Sequence, residues 1–220
     1  MAALLSFLSA STAPPGSLEY FDTYAFDGEL FVSGLKLARS KHCSVCNACI
    51  PRFDHHCVWL NACIGEGNHH AFLRFLAANV LLTAYGACLL FVILRAEYES
   101  LLGEEFVREG TSVVVEPDVR MALQYLAHSE ATLATLFLLC VLMGSALLGF
   151  FAFHCYLAVT NTTTNEFFKR RALSRGNSGR VLANAYDLGS SVANVAELWR
   201  PRYLARAREI RAAEQRHKSD

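Results

Sequence analysis

The sequence predicts a mainly α-helical polytopic membrane protein, with two visible transmembrane helices and a small zinc-bound cysteine-rich domain on the cytosolic face. Three observations lead there. Two apolar stretches are long enough to cross a bilayer, five of the eight cysteines fall between residues 43 and 63 beside three histidines, and charge is segregated along a chain whose 20 Lys and Arg balance 20 Asp and Glu. With 53% hydrophobic and 18% charged residues, the 220-residue chain has the composition of neither a disordered tail nor an ordinary soluble enzyme. The charge balance offers no basic surface that would point to nucleic acid.

Taken in order, residues 1–33 read as an N-terminal membrane-proximal segment. Met1 to Leu8 is apolar but shorter than a span and lacks the basic start of a secretory signal. Pro14, Pro15 and Gly16 then mark a loop. Residues 34–73 hold the cysteine and histidine cluster. Residues 74–95 form the first transmembrane helix, because Phe75 to Leu94 is twenty residues without a charge and a bilayer core needs roughly 20 apolar residues of helix.

Residues 96–130 form a lumenal or extracellular loop; from Arg95 to Glu130 the chain carries eight acids against three arginines. Residues 131–159 are the second span, whose ionisable groups are His154, Cys140, Cys155 and Tyr156. A chain of this size has too little other structure to bury both helices in a soluble core. Residues 160–220 form a tail that holds Lys169, Arg170, Arg171, Arg175 and Arg180 close to the membrane exit. The positive-inside tendency puts this tail in the cytosol, and two spans put the cysteine cluster on the same side. There thiols stay reduced, free for zinc or catalysis. Arg206, Arg208, Arg211, Arg216 and Lys218 read as an exposed basic helix at the end of the chain.

The cluster from His42 to Cys63 reads HCSVCNACIPRFDHHCVWLNAC. Zinc in a tetrahedral structural site takes four Cys or His ligands, commonly as close pairs joined by a longer loop. Cys43 and Cys46 form one such pair, and the other two ligands have to come from His55, His56, Cys57 and Cys63. In an extended segment residues two apart share a face. His55 and Cys57 therefore face together and His56 faces away, so one histidine can hold metal while the other serves as base toward a free thiol. A carboxylate such as Asp54 can fix the tautomer of that base and stabilise its cation.

The run Cys43-x2-Cys46-x2-Cys49-x4-Asp54-His55-His56-Cys57-Val58-Trp59-x-Asn61-x-Cys63-Ile64-Gly65-x2-Asn68-x3-Phe72 resembles the cysteine-rich domain of the DHHC protein S-acyltransferases, or palmitoyltransferases. Thr163-Thr164-Asn165-Glu166, just beyond the second helix, is similar to the family's TTxE motif, and Asn184-x-Tyr186-Asp187-x-Gly189-x4-Asn194 to its C-terminal motif. The resemblance covers about residues 34 to 200.

What the resemblance implies is a two-step acyl transfer. Cys57 would attack the thioester of palmitoyl-CoA or another long-chain acyl-CoA, and a membrane-proximal cysteine of a substrate protein would then take the acyl group. His55 would be the general base and Asp54 its orienting partner. Zinc would be structural, held by Cys43, Cys46, His56 and Cys63. His42 and Cys49 would belong to a second zinc site whose other two family positions hold Glu29 and Val32 here, which leaves half of it. Asp27, Glu29, His69 or His70 are the residues near enough in sequence to complete it, and otherwise that zinc is absent or weak.

Family members have four transmembrane helices where this chain shows the last two, so a catalytically inactive zinc-binding membrane adaptor and a truncated family member are the alternatives. The partners implied are the membrane, acyl-CoA and substrate proteins. The resemblance also implies an integral protein of the Golgi or endoplasmic reticulum, with cysteine-rich domain and C-terminus cytosolic. Thr163, Glu166 and Asn194 would tie the tail to the active-site domain, and Lys169, Arg170 and Arg171 could meet the phosphates of CoA.

Overall fold

The computed structural model describes residues 1–16, 23–26, 29–32, 35–36, 39–102, 104, 106–107, 114–115, 118–176, 183–200, 202–203 and 205, with backbone alone at 23–26, 29–32, 35–36, 106, 115 and 176. Two compact units divide them: residues 1–77 with 151–220, and residues 78–150.

The first unit begins with helix α1 (Ala2–Thr12), so the apolar start of the chain is helical four residues beyond Leu8. Three strands follow, β1 (Thr23–Phe26), β2 (Glu29–Val32) and β3 (Leu35–Lys36), in an antiparallel sheet of that order. Two short hairpins make up the cysteine-rich segment. The first pairs β4 (Lys41–Cys43) with β5 (Ala48–Ile50), and the second pairs β6 (His55–Cys57) with β7 (Ala62–Ile64). Each turns through an asparagine in the left-handed region, Asn47 and Asn61, both at φ 47°. Asparagine tolerates that conformation better than most residues, so the two Cys/His strand pairs are closed by the residue type their turns need.

Helix α2 (His69–Leu101) contributes its first turns to this unit and helix α4 (Ala131–Val159) its last. The core consists of Ala10, Cys57, Leu60, Ile64, Ala71, Phe72 and Leu76, with Phe75 and Phe151 against it, and a second cluster holds Cys43, Ala48, Ile50, Phe53 and Cys63. Cys57 is thus enclosed by the amino-terminal helix, its own hairpin and the start of α2. The tail adds α5 (Thr164–Gly176), the short α6 (Ser191–Ala196) and a 3-10 turn at Glu197–Trp199.

The second unit holds the rest of α2 and α4, a two-stranded pair β8 (Phe106–Val107) with β9 (Val114–Val115), and α3 (Val119–Ser129), capped by the Asp118 carboxylate on Met121 N–H at 2.7 Å. The loop expected at 96–130 therefore carries a helix of its own. The two long helices approach closely at small residues. A Cβ on Gly86 would stand 3.3 Å from Cys140 Sγ, and one on Gly144 would stand 3.0 Å from Thr83 Oγ1.

Helix α2 runs beyond the expected 74–95 at both ends, α4 covers 131–159, and each is long and apolar enough to cross a membrane. Leu81, Tyr85 and Leu142 are 66–70% exposed. A buried core helix of a soluble protein would cover such side chains, whereas lipid is the solvent that leaves them exposed without cost.

Candidate active site and metal centre

The ladder of the second hairpin pairs His56 with Cys63 and Cys57 with Ala62. Strand alternation sends His56 to one side and His55 with Cys57 to the other. On the first side, His56 Nδ1 lies 3.8 Å from Cys43 Sγ, 3.4 Å from Cys46 Sγ and 3.6 Å from Cys63 Sγ, and the sulfurs of Cys46 and Cys63 are 3.5 Å apart.

A tetrahedron with Zn–S of about 2.3 Å and Zn–N of about 2.0 Å has edges of about 3.5–3.8 Å, so the four side chains fit that ion. The chemistry agrees. Burial, and then the sulfurs of Cys43 and Cys46, push the Cys63 thiol well up; a divalent cation is what lets three neighbouring thiols ionise together.

His42 and Cys49, the other two expected ligands, face each other across the first hairpin with Nδ1 3.3 Å from Sγ. No third His, Cys, Asp or Glu joins them in a metal-ligand cluster among the described residues. Asp27 and the side chain of Glu29 lie outside the described residues. His70 stacks toward Trp199, with ring centroids 6.1 Å apart, and His69 lies elsewhere, so neither completes a second site here. Burial pushes the Cys49 thiol up.

On the other face, His55 Nδ1 is 2.6 Å from Asp54 Oδ2 and its ring pairs with the Cys57 thiol. Asp54 is 1% exposed and Cys57 6%. Burial disfavours the charged form of each of the three groups, and their mutual contacts outweigh it. The hydrogen bond from His55, then the nearby imidazole rings, hold the Asp54 carboxyl below the usual carboxylate range. The bonds to Asp54 and Cys57 raise His55 to about 9. The His55 contact, with the backbone N–H groups of Leu60 and Trp59, brings the Cys57 thiol below its ordinary value. The arrangement favours an imidazolium beside a thiolate, the state of an activated sulfur nucleophile.

Helix α5 anchors Asp54 from its N-terminus. Thr164 donates its N–H to Asp54 Oδ1 at 2.7 Å and its hydroxyl to Oδ2 at 2.9 Å. Thr163 and Glu166 form a capping box at the same terminus: Thr163 N–H donates to Glu166 Oε2 at 2.9 Å, and Glu166 N–H to Thr163 Oγ1 at 3.3 Å. Glu166 also meets Arg39 in a two-pronged ion pair at 2.7 and 2.8 Å, with the Arg39 side chain fully buried. TTxE is thus a cap, a carboxylate clamp and an ion-pair partner in four residues.

Asn161, at φ 45°, joins this network to the tail. Its Oδ1 accepts from Arg39 at 2.8 Å and from the buried Arg52 at 3.0 Å, and its Nδ2 donates to Tyr186 O at 2.9 Å. Asn194 Nδ2 donates to Val159 O at 2.8 Å and Asn184 Nδ2 to Thr160 O, so tail amides satisfy carbonyls at the end of α4. Arg170, one of the three basic candidates for phosphate, is engaged with Thr162 Oγ1 at 2.7 Å.

Two residues at the site escaped sequence reasoning. His69, named above only as a candidate for the second zinc site, and His154, named only as an ionisable group of the second span, are both fully buried within reach of Asp54. The His154 ring lies 5.7 Å from that of His55 and 5.0 Å from that of Phe72. The available signal was an ionisable residue inside each apolar helix near its end, where a functional role is the default.

Comparison with known proteins gives the family. The chain is similar to palmitoyltransferase ZDHHC4 of Bos taurus, 36% identical over an alignment of 186 residues that covers 76% of this chain and 53% of that protein. It is similar to palmitoyltransferase swf1 of Aspergillus fumigatus, 37% identical over 166 residues, 66% of this chain and 40% of that protein. The probable protein S-acyltransferase 2 of Arabidopsis thaliana is 33% identical over 152 residues, 68% of this chain and 32% of that protein. The chain therefore spans about half the length, or less, of the curated relatives it matches. The profile of the DHHC palmitoyltransferase family matches residues 32–171, more than half of the sequence, and the chain belongs to that family.

Proposed function

We propose that the chain is a protein S-acyltransferase of long-chain acyl groups, with Cys57 as nucleophile, His55 as general base and Asp54 as the carboxylate that orients His55. The observation that carries this reading is the line of contacts from Asp54 through His55 to Cys57, on the strand face opposite His56 and the clustered cysteines.

In the first step His55 holds the proton of the Cys57 thiol, and Sγ attacks the thioester carbon of acyl-CoA. The carbon–sulfur bond to CoA breaks, and CoA leaves as a thiol with the proton from His55. In the second step the thiol of a substrate cysteine gives its proton to His55 and its sulfur attacks the acyl-Cys57 thioester. Cys57 leaves and recovers that proton. Asp54, fixed by both donors of Thr164, keeps the His55 Nδ1–H pointed at itself and leaves the other ring nitrogen for sulfur.

Zinc, held by Cys43, Cys46, His56 and Cys63, supplies a structural crosslink between the two hairpins, outside the reacting atoms. The two long helices support residence in a membrane, where an acyl-CoA chain partitions and a fixed nucleophile meets it positioned. The acidic connector and the basic residues after the second helix support a cytosolic placement of the cysteine-rich segment and tail, in an endomembrane such as the Golgi or endoplasmic reticulum.

The test is incubation of detergent-solubilised protein with labelled palmitoyl-CoA. The expected result is hydroxylamine-sensitive label on the wild type, none on Cys57→Ser and much slower labelling of His55→Ala. A zinc-bound wild type that takes no label would overturn the enzyme in favour of an adaptor.

A further inference from the structure

Asp54, His69 and His154 form a second group of potential metal ligands, distinct from the cysteine cluster. One donor atom from each lies within 4.8 Å of the others, and all three residues are buried. They come from separate elements: the residue just before β6, the first residue of α2 and the last turns of α4.

Two observations make the group more than a coincidence of packing. His69 is 0% exposed, and neither of its ring nitrogens has a hydrogen-bond partner among the described residues. A buried imidazole without a partner bears a desolvation cost that a native structure ordinarily offsets with a water or an ion. Asp54, moreover, retains acceptor capacity. An ionised carboxylate offers about four lone-pair sites, and those of Asp54 take the Thr164 N–H, the Thr164 hydroxyl and the His55 ring N–H.

We propose that Asp54, His69 and His154 bind a second divalent transition-metal ion, of the zinc class, beside the acyl-transfer centre. Two imidazoles and one carboxylate are a donor set for such ions, whereas calcium and magnesium take oxygen ligands. Donors about 2.0–2.2 Å from a tetrahedral ion stand about 3.3–3.6 Å apart, so rotation of the two rings that brings donor atoms now within 4.8 Å of one another about an ångström closer closes the site. Phe72 and Phe153 wall it, with centroids 5.0 and 5.7 Å from the His154 ring. Three protein ligands leave at least one coordination position open.

The consequence for acyl transfer rests on the function proposed above. An ion on Asp54 draws the charge of that carboxylate away from His55, so occupancy slows transfer to and from Cys57. The site is then an inhibitory one, and free zinc a regulator of the reaction.

The experiment uses the full chain in detergent, loaded with zinc at the cysteine cluster and carrying Cys57→Ser so that no reactive thiol adjoins the site. Co2+ is titrated in as the probe and followed in the visible spectrum. The expected result is about one further equivalent with a nitrogen- and oxygen-ligand spectrum and no thiolate charge-transfer band. His69→Gln and His154→Gln, each still carrying its first zinc, should both weaken that binding by more than the roughly 10- to 100-fold typical of losing an outer-shell partner.

Absence of a further equivalent overturns the proposal. So does binding that survives both substitutions, or binding with a thiolate band, which would place the ion at His42 and Cys49. In the chain with Cys57 intact, added Zn2+ should slow labelling by palmitoyl-CoA and His69→Gln should relieve the effect. If that chain takes no label at all, the enzymatic reading fails while the Co2+ titration still decides the site.

Discussion

Thr164 gives Asp54 both of its donors, the backbone N–H at 2.7 Å and the hydroxyl at 2.9 Å, across 110 residues of sequence. The first amides of a helix carry a partial positive charge and favour an anion there, so α5 holds the Asp54 carboxylate ionised and still. Thr164→Val keeps the shape and removes the hydroxyl. A hydrogen bond to a charged group contributes about 1.5–3 kcal/mol, and a tenfold rate change corresponds to about 1.4 kcal/mol. Labelling of Cys57 by acyl-CoA is therefore expected to slow about 10- to 100-fold in Thr164→Val at unchanged zinc content and to recover in Thr164→Ser. Wild-type rates in Thr164→Val would show that Asp54 does not need this clamp.

The paired strand faces predict a clean separation of two adjacent histidines. His56→Ala removes a zinc ligand, and metal binding at such sites is folding free energy; the variant should lose its zinc and aggregate or unfold. His55→Ala leaves the metal cage intact and should keep about one zinc per chain while losing most acylation. Zinc measured by elemental mass spectrometry on both purified variants checks this. Equal zinc loss in the two would contradict the sorting of the strand's faces.

Much of this was legible in the sequence because it is local. Strand alternation is a period of two, so His55 and Cys57 against His56 follows from spacing alone, and uncharged runs mark the two long helices. The Thr163-x-x-Glu166 pattern could equally have been read as a helix cap. Its attachment to Asp54 and Arg39 could not, since both partners lie more than a hundred residues away. The same holds for His69 and His154: each looks like a lone polar residue near the end of an apolar helix until tertiary packing brings the two to one carboxylate. The extension of α1 to Thr12 and the burial of Ala10 beside Cys57 depend likewise on what the helix packs against.

The Arg39–Glu166 pair should behave as a buried ion pair. Arg39 is inaccessible and the Glu166 side chain 16% exposed, so removing one partner strands a charge at a cost of about 3–5 kcal/mol. Arg39→Met is expected to lower the thermal unfolding midpoint in detergent by several degrees. Adding Glu166→Leu should recover part of that loss, because the second substitution removes the stranded charge. A double variant less stable than the sum of the single ones would refute the coupling.

Asn161 receives two guanidinium groups on one oxygen and donates to the tail through its nitrogen. Asn161→Ala leaves Arg39 and the buried Arg52 each short of an acceptor and frees Tyr186 O. The expected cost is about 1.5–3 kcal/mol for each hydrogen bond to a charged group, together with faster proteolysis in residues 183–200. Wild-type proteolysis there would mean that Asn184 and Asn194 hold the tail unaided.

Gly67 controls how the amino-terminal segment reaches the site. A Cβ on it would collide with Pro14 O and stand 3.1 Å from Pro15 C, and these are backbone atoms, which cannot rotate aside as a side-chain tip can. Gly67 N–H also donates to Pro15 O at 3.1 Å, and Asn68 Nδ2 to Ala13 O at 3.2 Å, so the end of α1 is pinned to the start of α2. Gly67→Ala must push that segment away. It should then draw Ala10 out of the cluster that encloses Cys57, expose the thiol and raise its rate of alkylation by a water-soluble maleimide severalfold, with zinc retained. Unchanged Cys57 alkylation alongside new protease cuts within residues 9–16 would mean that the segment moves but does not shield the nucleophile. Unchanged behaviour in both assays would mean that the backbone at Pro14 yields without disturbing α1.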